Sequence, residues 1–150
     1  KRKTATRIYE AGTTFTIGKA ITVREGSDVT LIAAGIMVAE ALKAAEQLAE
    51  EGISVRVIDM FTIKPIDAEA IKLAAQETGA IVTCENHSVL NGLGSAVAEV
   101  LVQNTPVPLE MVGVRDEFGE VGDESYLMER FGLTAAHIIG AVRKVLARKG

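Results

Sequence analysis

The residues best equipped for chemistry lie close together: Cys84, Glu85, Asn86 and His87, followed five residues on by Gly92-Leu93-Gly94-Ser95. A carboxylate two residues from an imidazole can in principle serve as a general acid/base pair, because the charge tunes the ring. A glycine-rich turn opening a helix can present free backbone N–H groups to a phosphate. Neither signal is complete. The dinucleotide fingerprint requires a third glycine where this chain has Val97, and it belongs after the first strand of its unit rather than a later one. Glu85 and His87, placed beyond a strand end, have no third group that spacing alone sets beside them. The residue types therefore favour a turn in which Gly92 and Gly94 let helix and strand pack closely, with Glu85, His87 and Ser95 anchoring a loop or an interface. An anion- or nucleotide-binding α/β module using the Gly92–Ser95 terminus is the rival reading.

Elements that position this segment follow from periodicity. Residues 1–14 read as an extended linker, and Phe15 to Val23 as a strand interrupted by Gly18. Val29 to Ala34 is a continuous apolar run suited to a buried parallel strand. Val38, Ala41, Leu42, Ala45, Leu48 and Ala49 then recur at helical spacing up to a stop at Gly52. Ser54 to Asp59 is the next strand, and Asp67 can cap a helix that runs through Ile71 and Ala75 to Gly79. Ala80 to Glu85 is a third buried strand, followed by a helix to about Gln103. Pro106 and Pro108 precede a last strand, Leu109 to Val114. An acidic loop from Arg115 to Gly132 contains a short helix over Ser125 to Phe131. Thr134 then caps a closing helix with the stripe Ile138, Ile139, Val142, Val145 and Leu146. This alternation predicts a three-layer α/β/α fold with a five-stranded, mostly parallel sheet.

Composition narrows the function classes. Apolar residues make up 48% of the 150, aromatics 4%, and tryptophan is absent, so the core must be aliphatic. A formal charge of -4 argues against general nucleic-acid binding, which needs a positive surface. Basic residues cluster only at the ends (Lys1, Arg2, Lys3 and Arg7; Arg143, Lys144, Arg148 and Lys149) and read as a solvated tail and a helix C-terminus. Cys84 is the single cysteine and reads as a small buried hydrophobe; a reducing cytoplasm is the expected compartment. No apolar run approaches the ~20 residues of a membrane span. Two histidines and one cysteine, separated in the chain, match no zinc pattern, and the acids from Asp116 to Glu124 lack calcium-loop spacing. His137 reads as a helix surface residue.

Longer motifs carry a resemblance. Ile8-Tyr9, Val23-Arg24-Glu25-Gly26-Ser27-Asp28, Gly35-Ile36-Met37-Val38-Ala39-Glu40-Ala41-Leu42, Asp59-Met60-Phe61-Thr62-Ile63-Lys64-Pro65-Ile66-Asp67, Glu85-Asn86-His87 with Gly92-Leu93-Gly94-Ser95, and Phe131-Gly132-Leu133-Thr134 occur in order. Together they resemble the C-terminal domain of transketolase, especially of transketolases made as separate N- and C-terminal subunits. The resemblance implies a domain over residues 15–150, the first strand of its sheet antiparallel, behind a linker, 1–14, from a pyrimidine-binding domain. It implies a dimeric, cytoplasmic enzyme of the pentose phosphate pathway that moves a two-carbon ketol unit between sugar phosphates. Thiamine diphosphate and a divalent metal, Mg, would be held by upstream diphosphate- and pyrimidine-binding domains, so that this domain supplies no catalytic, cofactor or metal ligand and the fragment alone is inactive. An arginine shortly before the Ile-Tyr element can bind the sugar phosphate in this family, and Arg2 falls at about that position, flanked by Lys1 and Lys3. The related domains of 1-deoxyxylulose 5-phosphate synthase and of 2-oxo acid dehydrogenase beta subunits are the nearest alternatives.

Overall fold

The computed structural model describes residues 6–149. Five strands, β1 (Ile21–Arg24), β2 (Val29–Ala33), β3 (Val55–Asp59), β4 (Ile81–Ser88) and β5 (Leu109–Val114), form one sheet in the order β1-β3-β2-β4-β5. All neighbouring pairs are parallel except β1 with β3, which is antiparallel, as the sequence predicts. Helices α1 (Met37–Glu50), α2 (Ala68–Thr78), α3 (Leu93–Gln103), α4 (Glu124–Arg130) and α5 (Ala135–Ala147) alternate with the strands or follow them.

Because helices cover both faces of the sheet, the side chains of β2 and of residues 81–85 in β4 are buried on both sides, and the alternation of the strand sorts them into two cores. Leu31, Val57, Val82 and Cys84 pack under α1 and α5 with Val38, Ala41, Leu48, Ile138 and Val142. Ile32, Ile58 and Ile81 pack under α2 and α3 with Ile71, Leu93, Val97 and Leu101. Each fully buried Leu, Ile or Val contributes ~1.5–3 kcal/mol relative to exposure, so these two layers outweigh any single polar contact in holding the fold.

The strand expected from Phe15 to Val23 is corrected by the structure. Only Ile21–Arg24 joins the sheet; ahead of it Lys19 N closes a turn on Thr16 O at 3.0 Å, and Gly18 has a φ of 79°. Strand β4 runs three residues beyond Glu85, because an irregularity between Cys84 and Ser88 lets it rejoin β5 at Ser88 and Val114. Asp67 does cap α2, accepting from Ala70 N at 3.1 Å, and Gly79 ends that helix at a φ of 67°. Thr134 occupies the N-cap position of α5, but its hydroxyl contacts His137 Nδ1 at 2.8 Å instead of a helix N–H. Glu40 of α1 supplies the missing acceptor, taking Ala135 N at 3.0 Å.

The C-terminal basic residues are engaged within the molecule. Arg143 bonds Glu51, Lys149 donates to the carbonyl of Asp28, and Glu110 of β5 accepts from Lys144 at 2.9 Å and Arg148 at 2.5 Å. Burial pushes the Glu110 carboxyl up, but these two cations outweigh it and hold the group below the ordinary glutamate range. A carboxylate with a depressed native pKa stabilises the fold above the unfolded value and loses that contribution as pH falls through the native one. Glu110→Gln should therefore cost about 0.5–1 kcal/mol at pH 7, the exposed cations limiting the effect through screening. The gap from the parent should close as denaturation is repeated toward pH 3.

Candidate functional site

In a sheet of this order the connections leave β2 and β4 in opposite directions, so the crevice beyond their carboxyl ends is where such folds bind ligands. The sequence delivers Glu85, Asn86 and His87 to that edge from β4, Asp59 from β3, and Gly35-Ile36 from β2.

Glu85 is almost wholly buried, 3% exposed, on the face of β4 that meets α3. Its carboxylate accepts from Leu93 N and Gly94 N, both at 2.8 Å, and so occupies the N-terminus of α3. Backbone donors and the helix dipole both favour negative charge there. Gly92 follows from this contact, and Gly94 from the close seat of α3 on Met111 and Thr83. A Cβ on Gly92 would lie 2.0 Å from Glu85 Oε1, and one on Gly94 would lie 2.8 Å from Met111 Sδ and 3.0 Å from Thr83 Oγ1. The close-packing reading of Gly92 and Gly94 thus matches the geometry. Asn91 takes a φ of 60°, and its N–H donates to Ser95 Oγ at 2.9 Å, while that hydroxyl reaches Val89 O at 3.1 Å. Ser95 closes the turn on itself.

Glu85 and His87 do not form an acid/base pair. Both Glu85 oxygens are bound to α3, and His87 is exposed with Nδ1 3.1 Å from Ser88 O. His137 is likewise exposed. Cys84 is fully buried, and burial, aided by the charge of Glu85, raises its pKa, so the thiol stays protonated and is no nucleophile. Arg2 lies outside the described residues; Arg7 donates from Nε to Tyr9 O at 3.0 Å.

A pair not singled out in the sequence stands at the end of β3. Tyr9 donates its hydroxyl to Asp59 Oδ2 at 2.6 Å across 50 residues. Burial raises the Asp59 pKa, with the tyrosine bond pulling the other way, and burial with the adjacent carboxylate raises that of Tyr9. Asp59 Oδ1 has no partner among the described residues. The signal available was an acid closing an apolar strand, Val57-Ile58-Asp59, and a lone tyrosine in an otherwise polar lead-in; nothing in the spacing joined them.

Beyond β2, β4 and β5 a groove of about 710 Å³ is lined by Ile36, Asn86, Val114, Leu127, Met128 and Phe131 among others. The acidic loop rims it. Arg130 binds Glu117 and Glu120, each at 2.8 Å, and Tyr126 donates to Glu120 at 2.8 Å, while Phe118 and Val121 project fully into solvent. Among the described residues no three His, Cys, Asp or Glu side chains are grouped to hold a metal, and no helix is long and apolar enough to cross a membrane.

Comparison with known proteins decides the family. The sequence family described as transketolase, C-terminal domain, matches residues 18–138. The chain belongs to that family. It is 57% identical over 148 residues to the 6-deoxy-6-sulfo-D-fructose transketolase subunit SqwH of Clostridium sp. (strain MSTE9), an alignment covering 99% of this chain and 46% of that protein. It is 47% identical over 119 residues to one of the subunits of the apulose-4-phosphate transketolase of Phocaeicola vulgatus, covering 79% and 38%. A solved chain described as a split gene transketolase, inactive beta4 tetramer, superposes with a TM-score of 0.95 at 47% identity, covering 97% of this chain and 48% of that one. This transketolase domain therefore spans less than half the length of each of these proteins.

Its Glu85 cap makes a sharp expectation. Glu85→Gln replaces one acceptor with an NH2 group facing a backbone N–H, so urea denaturation should show a loss of roughly 1–3 kcal/mol with an unchanged slope.

Proposed function

We propose that this chain is the C-terminal domain of a thiamine-dependent ketol-transferring enzyme and that it serves assembly rather than bond-making. Residues 1–14 would link it to an upstream pyrimidine-binding domain and 15–150 would form the domain itself. The observation that carries this reading is the Glu85 cap. The one helix terminus suited to a diphosphate already holds a buried carboxylate, whose charge and bulk oppose a second anion. The described residues thus do not fit thiamine diphosphate, and the cofactor with its Mg ion would belong to domains ahead of this one. A free-standing nucleotide-binding module is disfavoured by the same contact. A cytoplasmic setting accords with the single buried thiol.

The relatives' names include a sulfonated and a phosphorylated sugar. Both end in a tetrahedral oxyanion, which a guanidinium binds through paired N–H groups, and Arg2 would be this chain's contribution to that recognition. For assembly, the carboxyl edge offers Phe118 and Val121 on a loop braced by Arg130, an arrangement in which rigid, solvent-facing apolar groups gain by being covered.

Isothermal titration of residues 1–150 with thiamine diphosphate and Mg should show no stoichiometric binding, with ketol transfer appearing only when the upstream part is supplied. Tight one-to-one binding by this fragment would end the proposed division of labour. In the assembled enzyme, Phe118→Ser with Val121→Ser should lower the sedimentation coefficient at micromolar concentration and leave the far-ultraviolet circular dichroism unchanged. An unaltered coefficient would remove the loop from the interface.

A further inference from the structure

Apart from Leu73 in α2 and Val102 in α3, every large apolar side chain that stands exposed among the described residues lies at the carboxyl edge of the sheet. Each parallel strand contributes. Ile36 follows β2, Ile63 follows β3, Leu90 follows β4, and Phe118 and Val121 follow β5. Phe15 and Ile17 join them from the lead-in to β1, a strap held by side chains rather than by a strand ladder. The Phe15 ring stacks on Phe61 with centroids 5.2 Å apart, and Gly18 N donates to Thr62 Oγ1 at 3.0 Å, so Ile17 stands beside the loop that carries Ile63. The ends of four neighbouring strands span about 14 Å at the usual spacing, which makes these groups parts of one face. Single apolar residues at a surface need no account, whereas a face that collects them marks a site of contact.

Polar groups along this face are already matched within the domain. Glu85, Asp67 and Glu40 take amides that open α3, α2 and α5, and Arg130 neutralises Glu117 and Glu120 beside Phe118. A partner therefore gains by burying apolar area and need bring no charge. Tyr9 on Asp59, Gly18 on Thr62 and Ala20 on Asp67 hold the strap at the end of β3, so the polypeptide enters the domain along this same edge. More than half the length of each matched relative lies outside the aligned span, and the matched family is a C-terminal domain, which puts that length ahead of it. A body joined through the strap is held against this face at a high effective concentration, an advantage that a separate molecule lacks.

From the placement of these groups we infer that the carboxyl edge, from Phe15 and Ile17 across Ile36 to Phe118 and Val121, is the seat of the upstream half of the enzyme, whose matching surface is apolar and uncharged. The inference rests on the proposed place of this chain in a longer ketol-transferring enzyme. It assigns to that neighbour the strand ends after β2, β3 and β4 as well as the loop after β5.

The test uses the assembled enzyme with single cysteines at positions that are exposed in this domain, their labelling read peptide by peptide by mass spectrometry. Cys84 is buried and adds no background from this chain. Ile17→Cys and Phe118→Cys should react with a maleimide about ten-fold more slowly than Leu73→Cys and Val102→Cys, because a covered thiol waits for local opening. Within the domain Ile17 and Phe118 are 77% and 98% exposed against 51% and 70% for Leu73 and Val102, so the expected order reverses the one this domain alone would give. A photoreactive benzophenone side chain placed at position 17 or 118 should cross-link to peptides from ahead of this domain. Equal labelling of the four thiols would overturn the inference, and so would cross-links confined to a second copy of this domain. If ketol transfer proves independent of the upstream part, the reading of this chain as one domain of a longer enzyme fails and takes the inference with it. If transfer needs that part while the edge thiols stay open, only the assigned seat is lost.

Discussion

The contact on which most of the local architecture depends is the Glu85 carboxylate seated on the first two amides of α3. An ionised carboxylate removed from water costs several kcal/mol unless its lone pairs are met, and here two backbone donors at 2.8 Å and the positive end of a helix offset that cost together. The surrounding chain has to make room. Gly92 lacks a Cβ because one would collide with Glu85 Oε1, and Gly113 of β5 lacks one because Val89, the carbonyl of His87 and Glu85 Cγ already stand within 3.1 Å. The irregular stretch of β4 between Cys84 and Ser88 lies in this same crowded volume, where strand, turn and helix start share one charged group.

Other elements use polar side chains in the same manner. Asp67 divides its two oxygens between the start of α2 and the end of the strap. Glu40 joins α1 to the first turn of α5 while keeping an ion pair with Lys43. Asp28 takes Ser54 N on its carboxylate and Lys149 on its carbonyl, tying the amino ends of the central strands to the C-terminal helix. Apolar burial decides that the layers associate; these acids decide at which angle and register the connections enter and leave. The short antiparallel β1 and the strap beside it also occupy the sheet edge at β3, a position that would otherwise expose unpaired strand groups.

How far the sequence revealed this differs by element, and the differences have causes. Val29–Ala33 is legible because burial on both faces demands an unbroken β-branched and aliphatic run, Val55–Asp59 because Val55, Val57 and Ile58 keep most of one around Arg56, and the α1 and α5 stripes because a single buried face imposes helical spacing. The antiparallel sense of β1 came from the family resemblance rather than from residues 21–24 themselves, and the order of the strands, set by tertiary pairing, was not read from the sequence. Phe15 to Ala20 misled because its alternation mimics a strand; in the structure Phe15 stacks on Tyr9 and Phe61, Ile17 is exposed, and the backbone turns between Thr16 and Lys19 instead of joining a ladder. At the site, the glycines announced close packing, but the direction in which Glu85 points is a tertiary fact. Spacing placed it next to His87, whereas the pleat and the fold placed it under Leu93 and Gly94. Tyr9 and Asp59, fifty residues apart, each stood out locally, but nothing in the spacing joined them.

The carboxyl edge of a parallel sheet is expected to bind ligands because strand ends, helix starts and a topological switch leave polar backbone groups without partners there. In this domain the premise fails group by group. The amides that open α3 are met by Glu85, the first amide of α5 by Glu40, and an amide in the first turn of α2 by Asp67, each acceptor being an acid of the chain itself. An edge so saturated has little electrostatic reason to recruit an anion, and its negative charge resists one. What it retains is capacity to hold other chain segments: a strap clamped at β3 and a braced, apolar-tipped loop after β5. If the cofactor is held by other domains, as proposed, such a unit could stand beside the reaction without competing for the diphosphate. The internal carboxylates that make the fold specific are the same groups that occupy the helix starts along this edge.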